Sequence, residues 1–270
     1  MKYRFGQPIA VDGFDAVIDS TKDLHKLTRS TVPLLAWWPR YAERWWQAHT
    51  ERRAISGADS HEPTAQFEYP VPASCDACPE RGRGKASFTD VMLFGAGRAI
   101  ALEAKYTEPR YDDVATWREQ GSDEVNRKRV LAHWCHLIEL HTGIPIRGEL
   151  DGIVYQMVHR TASACAAAKL EGGRAEVAYL VFDGGSANIT GYADDLRRAA
   201  NILDPGRRLT FSLIRVGTKP GAHYERVEKR CRLFSSRDDR AGVIADALRT
   251  EAQQLYAFDD FQPPYIVSPF

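Results

Sequence analysis

Cysteine is scarce in this chain, with five among 270 residues, an odd number. A chain of that length can bury a core without covalent staples. A disulfide framework is therefore not expected, and a reducing, cytoplasmic setting is. Long apolar runs are missing too. Stretches such as Val32 to Trp38 fall far short of the ~20 residues of a membrane helix, so no membrane partner is expected. The opening MKYRFGQPIAVDGF has a basic residue but no apolar h-region, so no secretory signal is expected there. Net charge is absent as well, since 36 Lys and Arg balance 36 Asp and Glu. That excludes a globally basic, histone-like binder of nucleic acid but leaves room for a neutral protein with one basic groove. There is no repeat period and no linker-like low-complexity tract. The glycine-rich pieces GRG and GGSAN lack the context of a Walker loop or dinucleotide fingerprint, and neither a nucleophile elbow nor HExxH occurs.

What is present reads as an ordinary globular composition, 44% hydrophobic and 27% charged, which excludes a disordered or collagenous chain. Pro39 suits a first helical position, and PRYAERWWQAHT follows to Thr50 as an aromatic-rich helix. Gly57 to Pro63 is a polar loop, after which the period changes to that of strands. Ala65 to Val71, Ser87 to Phe94 and Arg98 to Tyr106 read as strands, the last two joined in a hairpin by Gly95 and Gly97. Ser74 to Lys85 is a loop rich in Gly, Pro and charge. Two long helices are expected next. One runs from Asp123 to His141, capped by Ser122 and stopped by Gly143; the other is capped by Asp151 and runs to about Leu170. Glu176 to Phe182 is nearly all apolar, the mark of a strand buried on both faces. A helix (Tyr192 to Leu203), a strand (Leu209 to Val216), a helix (Asp239 to Tyr256) and an extended tail complete an α/β order in one domain spanning 1–270.

Chemistry concentrates at Thr89-Asp90 and Glu103-Ala104-Lys105. Residues two apart in a strand share a face, so Glu103 and Lys105 project together while Ile100, Leu102 and Ala104 enter a core. Asp90, in the preceding strand, falls beside Glu103. Two carboxylates and an ammonium suit metal-assisted phosphodiester hydrolysis, because Mg²⁺ takes oxygen ligands and one or two carboxylates suffice. Such a metal polarises a phosphate oxygen and acidifies the attacking water, and a nearby ammonium steadies the developing charge. By spacing alone the Glu-x-Lys triplet is equally a surface ion pair on a hairpin.

In TDVMLFGAGRAIALEAK, with Asp90, Glu103 and Lys105, the segment resembles the PD-(D/E)XK nuclease superfamily, with Thr89 where that pattern often has Pro. The resemblance spans roughly Pro39 to Asp183. It implies a restriction-endonuclease-like core at about 39–183, a mixed central sheet flanked by helices, with N-terminal additions and a C-terminal α/β extension at about 190–270. It implies a nuclease dependent on Mg²⁺ or Mn²⁺, with Asp90 and Glu103 on the metal and Lys105 positioning water. Members with a glutamine on a later helix are nearest, which would make Gln156 in YQMVHR a site-organising residue and Arg160, four residues on and on the same helix face, a phosphate contact. The plainer alternative for that pair is a solvated helix edge. A third acid often joins such sites; Glu68 is the candidate here and Glu43 the alternative.

Basic clusters at Arg81, Arg83 and Lys85, and at Arg127, Lys128 and Arg129, flank the proposed site and could track phosphates. A third, Arg226 to Arg232, reads as a solvated face. The expected partner is nucleic acid, DNA ahead of RNA, with a homodimer also open. Cys75 and Cys78 form half of a structural Zn²⁺ site that His133 and His136 could complete, but a single CxxC is weak and free thiols with helix-packing histidines are the plainer reading. The pairs Trp37-Trp38 and Trp45-Trp46 read as core rather than base-stacking platforms. A non-catalytic nucleic-acid or protein-binding module on the same fold is the rival to an enzyme.

Overall fold

The computed structural model describes residues 1–6, 9–51, 62–74, 82–120, 122–171, 173–184, 189–259 and 265–266. The chain opens with β1 (Lys2–Phe5), β2 (Ile9–Ala10), α1 (Gly13–Ser20) and α2 (Thr31–Glu51). An antiparallel meander follows: β3 (Thr64–Val71), β4 (Ser87–Gly95) and β5 (Arg98–Lys105). Next come α3 (Val114–Glu119), α4 (Glu124–Thr142), α5 (Tyr155–Glu171), β6 (Arg174–Asp183), α6 (Ile189–Leu203) and β7 (Thr210–Pro220). α7 (Tyr224–Arg232), α8 (Arg237–Leu255), β8 (Tyr256–Phe258) and β9 (Tyr265–Ile266) close the chain. Among the described residues the strands make one mixed sheet in the order β2-β1-β3-β4-β5-β6-β7-β8, with β9 also on β7. β5, β6 and β7 run parallel, as βαβ crossovers require.

Helices cover both faces. Ile100, Leu102 and Ala104 of β5 and Ala178, Leu180 and Phe182 of β6 pack with α1, α2, α7 and α8. Ala99 and Ala101, with Val177, Tyr179 and Val181, pack against α4, α5 and α6. All four tryptophans of the WW pairs belong to the first core, so they are packing residues, as their apolar spacing suggests. The β4–β5 turn carries positive φ at both central residues, Ala96 (49°) and Gly97 (64°), the pattern that matches hairpin twist.

Several sequence expectations need correction. The aromatic helix does not begin at Pro39; it begins at Thr31 and Pro39 lies inside it. The buried run from Val32 to Trp38 carries the first half, and its burial outweighs the bond that Pro39 cannot give to Leu35. The cap of α4 is Asp123, not Ser122: its carboxylate accepts from the Asn126 amide at 2.9 Å. Asp151 caps no helix. Its carbonyl accepts from Ala115 and its side chain pairs with Arg118, while α5 starts at Tyr155. α1, α3 and α7, of eight, six and nine residues, are not among the helices expected from the sequence. The C-terminal segment continues the same sheet through eight β6–β7 pairs, from Glu176–Thr210 to Asp183–Gly217.

A buried polar cluster ties the layers together away from the hairpin's open end. Glu176, in β6, accepts from Ser212 of β7 at 3.0 Å and meets His49 of α2 at 3.1 Å. Arg98 of β5 lies 3.9 Å away, and Trp45 stacks on the His49 ring.

Candidate active site

The β4–β5 ladder stops at the Val91–Leu102 pair. Beyond it the Asp90 carboxylate takes over, accepting from the Ala104 amide at 2.8 Å. This fixes Asp90 opposite Glu103 on the face that carries Lys105, while Ala104 turns into the other core. The sequence expectation of a shared face holds geometrically.

α5 lies across this face. Glu103 Oε1 accepts from Lys105 Nζ at 2.9 Å and from Gln156 Nε2 at 2.6 Å. Glu103 Oε2 accepts from Arg160 Nε. Gln156 and Arg160 are buried, not a solvated edge, and they share a face as their spacing of four requires. Arg160 also donates to Ser87 Oγ at 2.9 Å, and that hydroxyl lies 2.8 Å from His159 Nδ1.

Glu68 joins from β3. It falls opposite Asp90, between the Phe67–Val91 and Tyr69–Thr89 pairs, and its φ of 50° interrupts the ladder there. A left-handed conformation at a glutamate in a strand costs of order 1–3 kcal/mol and is concentrated at functional sites. Glu43, the alternative acid, is exposed on α2. The carboxylates border a polar cleft of about 850 Å³, whose walls also include Arg29, Arg110 and Tyr111.

The electrostatics divide the acids. Burial pushes the Asp90 carboxyl well up, and Glu103 adds to that. Burial lifts Glu68 to about 6, with Arg160 offsetting and Glu103 reinforcing. Burial opposes the charge on Glu103 as well, but Arg160 and Lys105 outweigh it and hold its pKa below the ordinary range. Lys105 is the mirror case: burial opposes its ammonium, while Glu103 and Asp90 outweigh burial and raise its pKa. His159 is driven well down by burial, then by Arg160 and Lys105, which favours the neutral ring, and Ser87 Oγ and Arg160 both approach its Nδ1. Facing acids with pKa values pushed apart are a frequent sign of an active site.

The structure does not bring every expected residue here. Arg83 and Lys85 sit on a neighbouring cleft. Lys128 does not; it pairs with Glu124 at 2.9 Å on an exposed helix face, and Arg127 takes the inward place. Arg226, Arg230 and Arg232 pair with Glu251, Asp246 and Glu228. Cys75 and Cys78 lie outside the described residues, and His133 Nε2 meets the Pro72 carbonyl at 3.0 Å. Among the described residues no group of three or more His, Cys, Asp or Glu is disposed to cage a metal. Sequence reasoning missed Ser87, His159, Tyr111 and Tyr179. Tyr179 pairs in register with Glu103, and its buried hydroxyl has no hydrogen-bond partner among the described residues. His159, next to Arg160 and four after Tyr155, was the one legible signal.

The fold and site thus define an α/β protein with a mixed sheet between helices and a charged cleft at the open end of a hairpin. Within that class the chain belongs to a recognised family: residues 12–212 match the one described as Domain of unknown function (DUF6946). No curated protein and no solved structure matches the chain.

Proposed function

We propose that the protein is a metal-dependent nuclease that hydrolyses phosphodiester bonds, with DNA the favoured substrate. The observation that carries this is the convergence of Asp90, Glu103 and Lys105 on one face, organised by Gln156 and Arg160 from α5 and opening into the polar cleft. The element order supports a restriction-endonuclease-like core: helix α2, the meander β3–β5, helices α4 and α5, and then β6 parallel to β5. The chain's helices fit a water-soluble enzyme, none being long and apolar enough to cross a membrane among the described residues. A cytoplasmic setting agrees with the free thiols of Cys135, Cys165 and Cys231.

The residues fit Mg²⁺ or Mn²⁺. Burial raises the pKa of both Asp90 and Glu68, the latter to about 6, and a divalent cation would offset the cost of their charge. Glu103 uses three of about four lone pairs on Lys105, Gln156 and Arg160 and keeps one. A hard cation held by one or two carboxylates keeps its remaining waters and needs no all-protein cage. When bound, it supplies Lewis-acid polarisation of phosphate and a more acidic water. The chain's own part is then clear. Lys105, held charged, donates to the attacking water or to a phosphate oxygen and steadies charge as it develops. Arg160 and Gln156 fix the rotamer of Glu103.

The test is cleavage of plasmid and oligonucleotide DNA with Mg²⁺ or Mn²⁺. Lys105→Ala is expected to lose ~10²–10³-fold in rate, as removal of one preorganised donor does, and Asp90→Asn at least as much. Equal rates in wild type and both variants would overturn the proposal. The three donors already engaged by Glu103 favour a second reading, a binding module without catalysis; it predicts binding that survives EDTA and no cleavage with any metal.

A further inference from the structure

A second cleft, of about 450 Å³, adjoins the first, and Phe88, Tyr111, Gln156 and Arg160 line both. Its inner wall is already complete. Trp117 stacks on Tyr155 at 3.6 Å and 8°, Arg127 covers the Trp117 ring at 4.8 Å, and the Trp134 indole donates to the Tyr155 hydroxyl at 3.1 Å. Those rings are rigid scaffolding with their faces in use.

Phe88 and Tyr111 differ. They are 46% and 50% exposed and stand at the boundary between the two clefts. Lys105 Nζ lies over the Tyr111 ring at 5.1 Å from its centre, which sets Tyr111 beside the reacting groups with one face engaged and half its surface still open. The floor offers polar edges in Ser87 and His159, hydrogen-bonded to each other. Arg83 and Lys85, both exposed, join Arg127 around the same cleft.

Flat apolar rings with open area, a polar floor and a cationic margin match the three parts of a nucleotide: base face, base edge and phosphate. We infer that this second cleft seats an unpaired nucleobase against Phe88 and Tyr111 while the adjoining phosphate reaches Asp90, Glu103 and Lys105. The substrate is then a single-stranded or locally opened polynucleotide, because a base stacked inside a duplex cannot enter a pocket without being extruded. The inference rests on the nuclease reading for which strand is engaged and deepens it by naming the substrate class.

The experiment reads binding apart from cleavage. The full chain is titrated in EDTA against a short single-stranded DNA carrying 2-aminopurine, its RNA equivalent, and the matching duplex. Stacking on a ring quenches the probe. Wild type is expected to quench at least one single strand and to bind the duplex more weakly. Phe88→Ala and Tyr111→Ala are each expected to weaken single-strand binding about 5- to 150-fold, the loss of one stacked base, and Tyr111→Phe to retain it. Both rings are half exposed, so their truncation spares the core. Unchanged affinity in both alanine variants, or duplex binding as tight as single-strand binding without quenching, overturns the inference. Quenching by a protein that never cleaves would keep this seat and remove the nuclease reading. Mg²⁺-dependent cleavage with no quenching and no response to either alanine would do the reverse.

Discussion

Asp90 and Arg160 are the residues whose environments have the clearest energetic consequences. The folded pKa of Asp90 lies above its unfolded value, so its contribution to stability is full in acid and is lost as pH rises through the folded value. At neutral pH the carboxylate therefore weakens the metal-free fold. Asp90→Asn should raise stability there by about 0.5–2 kcal/mol, a common gain from relieving a functional site, and the difference should close in acid. Thermal melts across pH check this. On the proposed metal site, Mg²⁺ at 100 times its dissociation constant should stabilise wild type by about 2.7 kcal/mol and leave Asp90→Asn nearly unmoved. Glu68 titrates by the same rule in a window from 4.5 to about 6, so wild type should lose stability across that window more steeply than Glu68→Gln. Arg160 carries the opposite sign. Removing it leaves the buried Glu103 carboxylate with Lys105 alone as an ion-pair partner and Oε2 without its donor, and Arg160→Ala should cost about 3–5 kcal/mol in denaturant unfolding at pH 7. A loss under 1 kcal/mol would show that water or Lys105 compensates.

The β4–β5 hairpin sets the geometry, and its far end is closely packed. A Cβ on Gly173, which leads into β6, would lie 2.5 Å from the Gly97 carbonyl oxygen in the turn. Gly173→Ala should therefore cost about 1–3 kcal/mol through forced displacement, read as a lower unfolding midpoint. The elements most readable in the sequence were those with one dominant period. The alternation of Ile100, Leu102 and Ala104 against Glu103 and Lys105 placed the face of β5, and the apolar run Glu176 to Phe182 placed a strand buried on both sides. Pro39 misled because a local breaker signal competes with seven apolar residues on its N-terminal side, and burial won. Tyr111 lies in EPRYDD, outside any helix or strand, so no periodicity could point it at the cleft. The partners of Glu103 sit 53 and 57 residues away on α5. Their joining is a tertiary fact that spacing within α5 could only suggest.

For the whole molecule, balanced charge limits how strongly a polyanion is held. Arg83, which also pairs with Asp123 at 3.4 Å, and Lys85 are the exposed basic side chains on the margin of the second cleft. Two phosphate contacts to a single strand imply a slope of log affinity against log salt of about −1.4, at roughly 0.7 per contact. A slope steeper than about −5 would reveal a basic surface beyond the clefts.

The cluster of Glu176, His49, Arg98 and Ser212 has a consequence for how the chain assembles. Its members come from α2, β5, β6 and β7. The full set closes only when all four segments have docked, and a one-residue slip of β6 would carry the carboxylate to the opposite face. Completion of the quartet is therefore expected late in folding, once the strands are in register. Because Trp45 stacks on His49, its fluorescence should report that final step as a slow phase in refolding, distinct from collapse.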